Sequence, residues 1–516
     1  MFTGTLKPYQ VEAVAKMVAS KKILVAYEMG LGKTPMTIAA IEKLNSNLTL
    51  VVCLASLKYQ WQKEIAKFSN KKALVIDGTV AQRAAQYNSM LEYDYVIMNY
   101  EQVVNDWERI KAVPFNAMVC DEATAIKGFR AKRSKKIKDL SKNIPIRFAL
   151  TGTPIENGRP EEMYSIMQFV NKDILGRFDI FDKTFIVRNR FGGVDRYRNL
   201  SLLHDTVKKA TVRKSQKDED VKPYLPDAVY REPLTIKLDR AAQRLYNHIS
   251  KDTINLLIEA SEIFGSNFNV AAHYGQMYDP GDPANEMRGQ IMSRISALRM
   301  LCSNPQSLIT SAINFDQHTG KGSAYVHSLM DQLEGLSKNN KLDATLTYIK
   351  EHLDIDPSYK VVVFSSYLDS VNLLETNITK SGVQAVKYTG EMNAKEKETA
   401  KESFQSHPDI RVLISSDAGG YGVDLPQANL LVNYDQPWSA GLAVQRNGRI
   451  QRTSSNWTTI TIQDILVEDS IEERQYDMLK QKSSVANAVL DGVGINSKGG
   501  VDLTVGSLIN FLTNNL

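Results

Sequence analysis

Short apolar runs alternate with stretches whose apolar positions recur every three or four residues. KKILVAY, LTLVVCLA, KALVID, YDYVIMNY, FNAMVCDE and IRFALTG fill the first part of the chain, and KVVVFSS, AVKYTG, IRVLISS, NLLVNYD and TTITIQDILV the last. These runs are apolar throughout rather than alternating, which suits parallel strands buried on both faces. Amphipathic segments such as SLKYQWQKEIAKF and AKEKETAKESFQ separate them, so the pattern is strand, helix, strand, repeated. It predicts an α/β protein with one parallel-sheet unit in each half. From about Glu161 to Asn340 strand runs are few and helical spacing dominates, as in DRAAQRLYNHISKDTINLLIEA. The turn-rich YDPGDPANE interrupts that region and predicts an exposed loop.

Composition narrows the class. The 516 residues are 43% hydrophobic and 23% charged, which excludes a mostly disordered chain. Lys and Arg number 63 against 58 Asp and Glu, a net charge of +5, so a polyanion site must come from local clustering. Three cysteines, Cys53, Cys120 and Cys302, sit among apolar neighbours and predict buried thiols in a reducing compartment. The start, MFTGTLKPYQ, has no signal-peptide core, and no apolar run approaches the ~20 residues of a membrane span. A cytoplasmic protein with no membrane partner is expected.

Chemistry concentrates in three places. EMGLGKT, Glu28 to Thr34, follows the run KKILVAY and precedes the helical PMTIAAIEKL. A strand, a glycine-rich turn and a helix N-terminus form a phosphate cradle of backbone N–H groups. Lys33 would reach the β- and γ-phosphates, and the Thr34 hydroxyl would ligate Mg²⁺. VCDEAT places Asp121 and Glu122 at the end of an apolar run, where two carboxylates are costly unless they serve a cation. Asp121 would hold Mg²⁺, and Glu122 would orient and deprotonate the attacking water. Far downstream, AVQRNGRIQR carries Arg449 and Arg452 three apart, on one side of an expected helix. An arginine pair on one unit facing a phosphate loop on the other supplies charge only when the units close.

These pieces, with others in the same order, resemble the Swi/Snf class of superfamily 2 helicase-like DNA translocases. LKPYQ resembles the adenine-reading Q motif, EMGLGKT motif I, VVCLASLKYQW motif Ia, DYVIMNYE motif Ib, DEAT motif II and LTGTPIEN motif III. KKATVRKSQKD followed by YLP resembles the basic block before the second lobe, and LRMLCSNP a short helix signature there. VVVFSSY, ISSDAGGYGVDL, YDQPW and QRNGRIQR resemble motif IV, motif V, the motif after it, and motif VI. Tyr27, Leu54, Thr124, Gln451, Ser439–Ala440 and Ser454–Ser455 stand where the family usually has other residues.

The resemblance implies two RecA-like parallel-sheet lobes with helical protrusions. Lobe 1 would span residues 1–160 with a protrusion over 161–225. A protrusion and linker over 226–340 would precede lobe 2 at 341–490 and a tail at 491–516. ATP and Mg²⁺ are the implied cofactors. Leu6, Tyr9 and Gln10 would read adenine, Gly30, Gly32, Lys33 and Thr34 would hold the phosphates, and Glu28, Met29 and Leu31 would belong to the same ATP-binding loop. Gly422 and Asp424 would border the nucleotide, Arg449 and Arg452 would complete the site, and Thr151, Gly152 and Thr153 would couple hydrolysis to the DNA face. Ser56, Lys58, Trp61, Ser365, Thr389, Ser416 and Trp438 would line the DNA backbone.

Two basic tracts add to that expectation. IKGFRAKRSKKIK carries Lys127, Arg130, Lys132, Arg133, Lys135, Lys136 and Lys138. FIVRNRFGGVDRYR interleaves Arg188, Arg190, Arg196 and Arg198 with Phe185, Phe191 and Tyr197. Either contacts phosphates or is a solvated face. The implied function is an ATP-driven monomeric motor on duplex or branched DNA, gripping it with little regard to sequence, in replication, recombination or repair of bacterial or viral type. A remodeller that displaces proteins from DNA without separating strands is the alternative.

Overall fold

The computed structural model describes residues 1–188, 194–270, 282–417, 419, 423–492 and 504–514. In chain order the strands are β1 (Lys22–Tyr27), β2 (Thr49–Cys53), β3 (Ala73–Val75), β4 (Tyr95–Asn99), β5 (Ala117–Asp121), β6 (Ile146–Leu150), β7 (Ile186–Arg188) and β8 (Val194–Tyr197). They continue with β9 (Thr211–Lys214), β10 (Asp227–Tyr230), β11 (Leu234–Ile236), β12 (Val361–Ser365), β13 (Gln384–Tyr388), β14 (Ile410–Ser416), β15 (Leu430–Asn433) and β16 (Thr459–Val467). The first sheet has the order β3-β4-β2-β5-β6-β1-β9, and the second β10-β16-β15-β12-β14-β13 with β11 also on β16. Every pairing in both is parallel. Central strands β2, β5, β6 and β12 are buried at every position, because helices cover both faces. The two-lobe α/β architecture is as the apolar runs predict.

The middle of the chain differs from its helical reading. β7 to β11 all fall between residues 186 and 236, and β9 returns to the edge of the first sheet while β10 and β11 extend the second. They are three or four residues long, with sequences such as VDRY and TVRK. Such segments are too short and too polar to show a period, and only pairing with a neighbour makes them strands.

The helices Arg240–Phe264, Pro283–Ser303 and Val505–Asn514 pack around one apolar core beside the second sheet. The start of YDPGDPANE, residues 278–281, lies outside the described residues; its remainder opens the helix at Pro283, capped by Asp282, whose side chain accepts from Ala284 N. Cys53, Cys120 and Cys302 are free and buried, and burial holds all three thiols above their ordinary range. Among the described residues no helix is long and apolar enough to cross a membrane.

Candidate functional site

The carboxyl ends of β1 and β5 open into a cavity of about 200 Å³ between the lobes. Its lining takes Gly30, Gly32, Lys33, Thr34, Trp61, Asp121 and Glu122 from lobe 1, and Asp424, Arg449 and Arg452 from lobe 2. This is where open parallel sheets place ligands. Gly30 and Gly32 both have positive φ, +79° and +80°. A Cβ on Gly32 would lie 2.3 Å from Gln10 Nε2, and one on Gly30 would lie 2.7 Å from Gln451 O of lobe 2. Only glycine permits a loop this tight against both lobes.

Lys33 opens the helix Lys33–Lys43 and donates from Nζ to Tyr27 O at 2.9 Å and Glu28 O at 3.3 Å. Burial lowers its pKa, while Glu122 and Asp121 oppose that shift. Asp121 ends β5, and burial raises its carboxyl against the opposing Trp61 bond and Lys33 charge. Trp61 Nε1 donates to Asp121 Oδ2 at 2.8 Å, and Glu122 N to Oδ1 at 3.0 Å. Glu122 sits in the left-handed region at φ +48°, a strain of about 1–3 kcal/mol that such sites retain. Burial, and behind it the Asp121 charge, pushes its carboxyl up to about 7. A carboxylate so placed suits the role of general base near neutrality.

Gly152 lies against the phosphate loop, where a Cβ would be 3.3 Å from Met29 N; Thr151 N donates to Val25 O of β1, and Thr153 N donates to Thr151 Oγ1. Arg452 pairs with Asp424 at 2.8 Å, yet among the described residues its buried Nε has no hydrogen-bond partner. Buried donors facing a polar cavity await an acceptor, and phosphate oxygens fit them. Asp121 and Thr34 are hard oxygen donors in the same cavity, a set that suits Mg²⁺ held by one carboxylate together with substrate phosphates.

Several expected positions are corrected. Arg449 and Arg452 are not on a helix: the helix Ala440–Asn447 stops at Gly448, where a Cβ would lie 2.9 Å from Met29 Cβ of the phosphate loop. Both arginines still reach the cavity, from the turn that follows. Gln10 does not line it; its amide accepts from Lys7 N and donates to Leu31 O, buttressing the loop from behind, and Tyr9 OH donates to the same oxygen. Leu6 is half-buried in the lobe 1 core. Glu28 turns away from the cavity to Arg213. Gly422, Arg190 and Phe191 lie outside the described residues.

The expected DNA track divides. Trp61, 2% exposed, faces Asp121, and Lys58 is buried against Ile76 O and Asp77. Ser365 is buried and donates to Asp435, Thr389 is buried, and Ser416 Oγ accepts from Gly390 N and Gly419 N. Ser56 is exposed, and Trp438, 37% exposed, stacks on Arg299 at 4.1 Å. In the first basic tract Lys127 pairs with Glu156, Arg133 with Glu101, Arg130 lies over Phe129 and Lys136 over Trp107. Lys138 donates to Phe129 O, and burial lowers it to about 8. Lys132 and Lys135 stand exposed. In the second tract Arg188 pairs with Asp182 and Arg198 donates to Thr184 O; Tyr197 and Arg196 flank them on β8.

Trp61→Phe separates the two duties. It should raise the Mg²⁺ concentration needed for half-maximal turnover about tenfold, by freeing the buried Asp121 carboxylate, and leave DNA affinity unchanged. Metal titrations and DNA binding by fluorescence anisotropy measure both; weaker DNA binding at an unchanged metal requirement would return Trp61 to the DNA track.

Other residues of the site carried no assignment in sequence. Glu156 bonds Lys127 and receives a bond from Gln445 of lobe 2 at 3.4 Å, while a Cβ on Gly441 would lie 2.5 Å from its Cγ. Arg446, 1% exposed, joins Asp417, the Asp435 backbone and Ser366, tying three strand ends together. Its place three residues before Arg449 in an arginine-rich motif was the available signal.

The SNF2-related domain model matches residues 9–307, more than half of the chain, and the helicase conserved C-terminal domain model matches residues 340–454. The chain belongs to the SNF2-related family. Among curated SNF2-type relatives, the putative ATP-dependent helicase/translocase YwqA of Bacillus subtilis (strain 168) is 24% identical over 505 residues, 95% of this chain and 49% of that protein. The DNA repair and recombination protein RAD54B of Gallus gallus is 24% identical over 501 residues, covering 91% of this chain and 51% of its own length. TATA-binding protein-associated factor mot1 of Schizosaccharomyces pombe is 24% identical over 96% of this chain and 27% of its own. The chain thus spans about half the length, or less, of these relatives. The SWI2/SNF2 ATPase core of Sulfolobus solfataricus in complex with dsDNA covers 96% of this chain and 94% of its own, at 22% identity and a TM-score of 0.42.

Proposed function

We propose that the chain is an ATP-hydrolysing motor that moves along duplex DNA without reading its sequence, in DNA recombination or repair. The observation that carries the reading is the inter-lobe cavity, where Lys33, Asp121 and Glu122 of one lobe meet Arg449 and Arg452 of the other. Gly30, Gly32 and Lys33 bind the phosphates of ATP. Asp121 and Thr34 would hold Mg²⁺, which neutralises phosphate charge when bound. Glu122 takes the proton of the water that attacks the γ-phosphorus, and the bond to the β-phosphate oxygen breaks. Arg449 and Arg452 stabilise the charge of the transferring group only while the lobes are closed. Opening and closing of the lobes then moves the second lobe along the DNA backbone. Relatives named for translocation and for repair and recombination support the motor reading.

Steady-state ATPase assays with single-stranded, duplex and branched DNA test it. Duplex DNA should stimulate turnover, and affinity should fall with salt at a log–log slope of about −0.9 per phosphate neutralised. Lys132→Ala with Lys135→Ala should flatten that slope for all sequences alike. Stimulation by single strands alone would replace this reading with strand separation.

A further inference from the structure

The basic block TVRKSQKD has no role in the chemistry above, yet it holds a partly buried ion-pair junction directly behind the phosphate loop. Arg213 on β9 donates from Nη1 to Ala26 O at 3.0 Å, from Nη2 to Glu28 Oε1 at 2.8 Å, and from Nε to Asp491 Oδ1 at 2.9 Å. Gln216 completes the cradle: its N–H donates to Glu28 Oε2 at 2.8 Å and its Nε2 to Met29 O at 3.0 Å. Every contact but one lies in lobe 1. Asp491 is the exception, because it caps the helix Ile471–Leu490, which begins in lobe 2.

That helix is anchored at both ends. At its start, Glu472 forms a fully buried pair with Lys341 at 2.6 Å, and Ile471 N donates to Tyr246 OH. One turn on, Gln475 Nε2 donates to Gln436 O and Pro437 O, the backbone just before Trp438. At its end, Ala488 and Val489 are buried in the lobe 1 core, and His204 Nδ1 bonds Val489 O at 2.9 Å. The helix thus connects the backbone of the YDQPW loop in lobe 2 to Asp491 beside the phosphate loop in lobe 1.

We infer that Arg213 is a positioning residue for the phosphate loop, and that Asp491, delivered by the lobe 2 helix, sets how firmly Arg213 holds that loop in its ATP-binding shape. This deepens the ATPase reading and rests on it for its consequence, though not for its geometry. With Asp491 in place the guanidinium bridges two carboxylates and the Glu28 end of the loop is clamped. Without the Asp491 carboxylate the guanidinium keeps Ala26 O and Glu28 but loses the partner that fixes its Nε edge, so the clamp on the loop loosens while every group that touches substrate remains.

The test uses the full chain with Asp491→Ala and Asp491→Glu. Hydrogen–deuterium exchange of nucleotide-free protein should show the segment 27–34 exchanging about fivefold faster in Asp491→Ala and near the parent rate in Asp491→Glu. In turnover, Asp491→Ala should raise KM for ATP about five- to tenfold and leave kcat within about twofold, with Asp491→Glu restoring KM. Unchanged exchange at 27–34 in Asp491→Ala overturns the inference, as does a fall in kcat at constant KM. Because exchange needs no turnover, faster exchange in a chain that hydrolyses no ATP would uphold this clamp and overturn the ATPase reading alone.

Discussion

Glu122→Gln is expected to lower kcat by about 10³ while ATP still binds within a few-fold of the parent affinity. The amide keeps the shape of the carboxylate but cannot take a proton from water. Glu122 should also carry little of the binding, since the loop backbone and Lys33 would hold the phosphates in the proposed reaction. The loss should not come from misfolding. Burial and the neighbouring Asp121 hold the Glu122 carboxyl above its ordinary range. A group raised in this way contributes its stability below the unfolded pKa and loses it as pH rises through about 7. The neutral amide removes that loss, so the nucleotide-free variant should melt no lower than the parent at pH 8. Single-turnover hydrolysis, equilibrium binding of a fluorescent ATP analogue and thermal melts check the three parts. Turnover within about tenfold of the parent would remove Glu122 from the role of base.

Arg452→Ala is expected to lower kcat by about 10³ or more with little change in KM. Among the described residues its buried Nε has no hydrogen-bond partner, and its ion pair is to Asp424, which is itself about half exposed. Truncation therefore leaves a solvated carboxylate rather than a buried charge, and the fold should survive. Arg449 is a poorer subject for the same test: it is 2% exposed and donates to Val423 O, so its removal also disturbs the lobe 2 core. Steady-state kinetics decide the matter. A rise in KM alone would make Arg452 a ground-state contact and pass the transition-state role to Arg449.

The strand runs of both sheets were legible because strands buried on both faces must be apolar throughout, and β1 to β6 and β12 to β16 fall on them. The phosphate loop was legible for a similar local reason: a strand, two glycines and a helix start are contiguous. Lys58 and Trp61 could have been placed better. Lys58, Trp61 and Ile65 are spaced at three and four, the spacing of one helix face, and that face is the buried one. Reading Trp61 as a surface contact ignored a period that was present.

Sequence by itself determined which residues line the cavity between the lobes, because Lys33, Asp121, Glu122, Arg449 and Arg452 stand in short motifs whose spacing reflects turns and strand ends. Tertiary structure alone decided what those residues face. Glu28 lies inside the phosphate motif but bonds Arg213, 185 residues away, and Arg213 reaches a further 278 residues to Asp491. Gln445 meets Glu156 across 289 residues. Periodicity and turn chemistry extend over a few residues, whereas Glu28 meets Arg213 only once β9 has joined β1, and the other two pairings exist only where the two sheets face each other and one helix crosses between them.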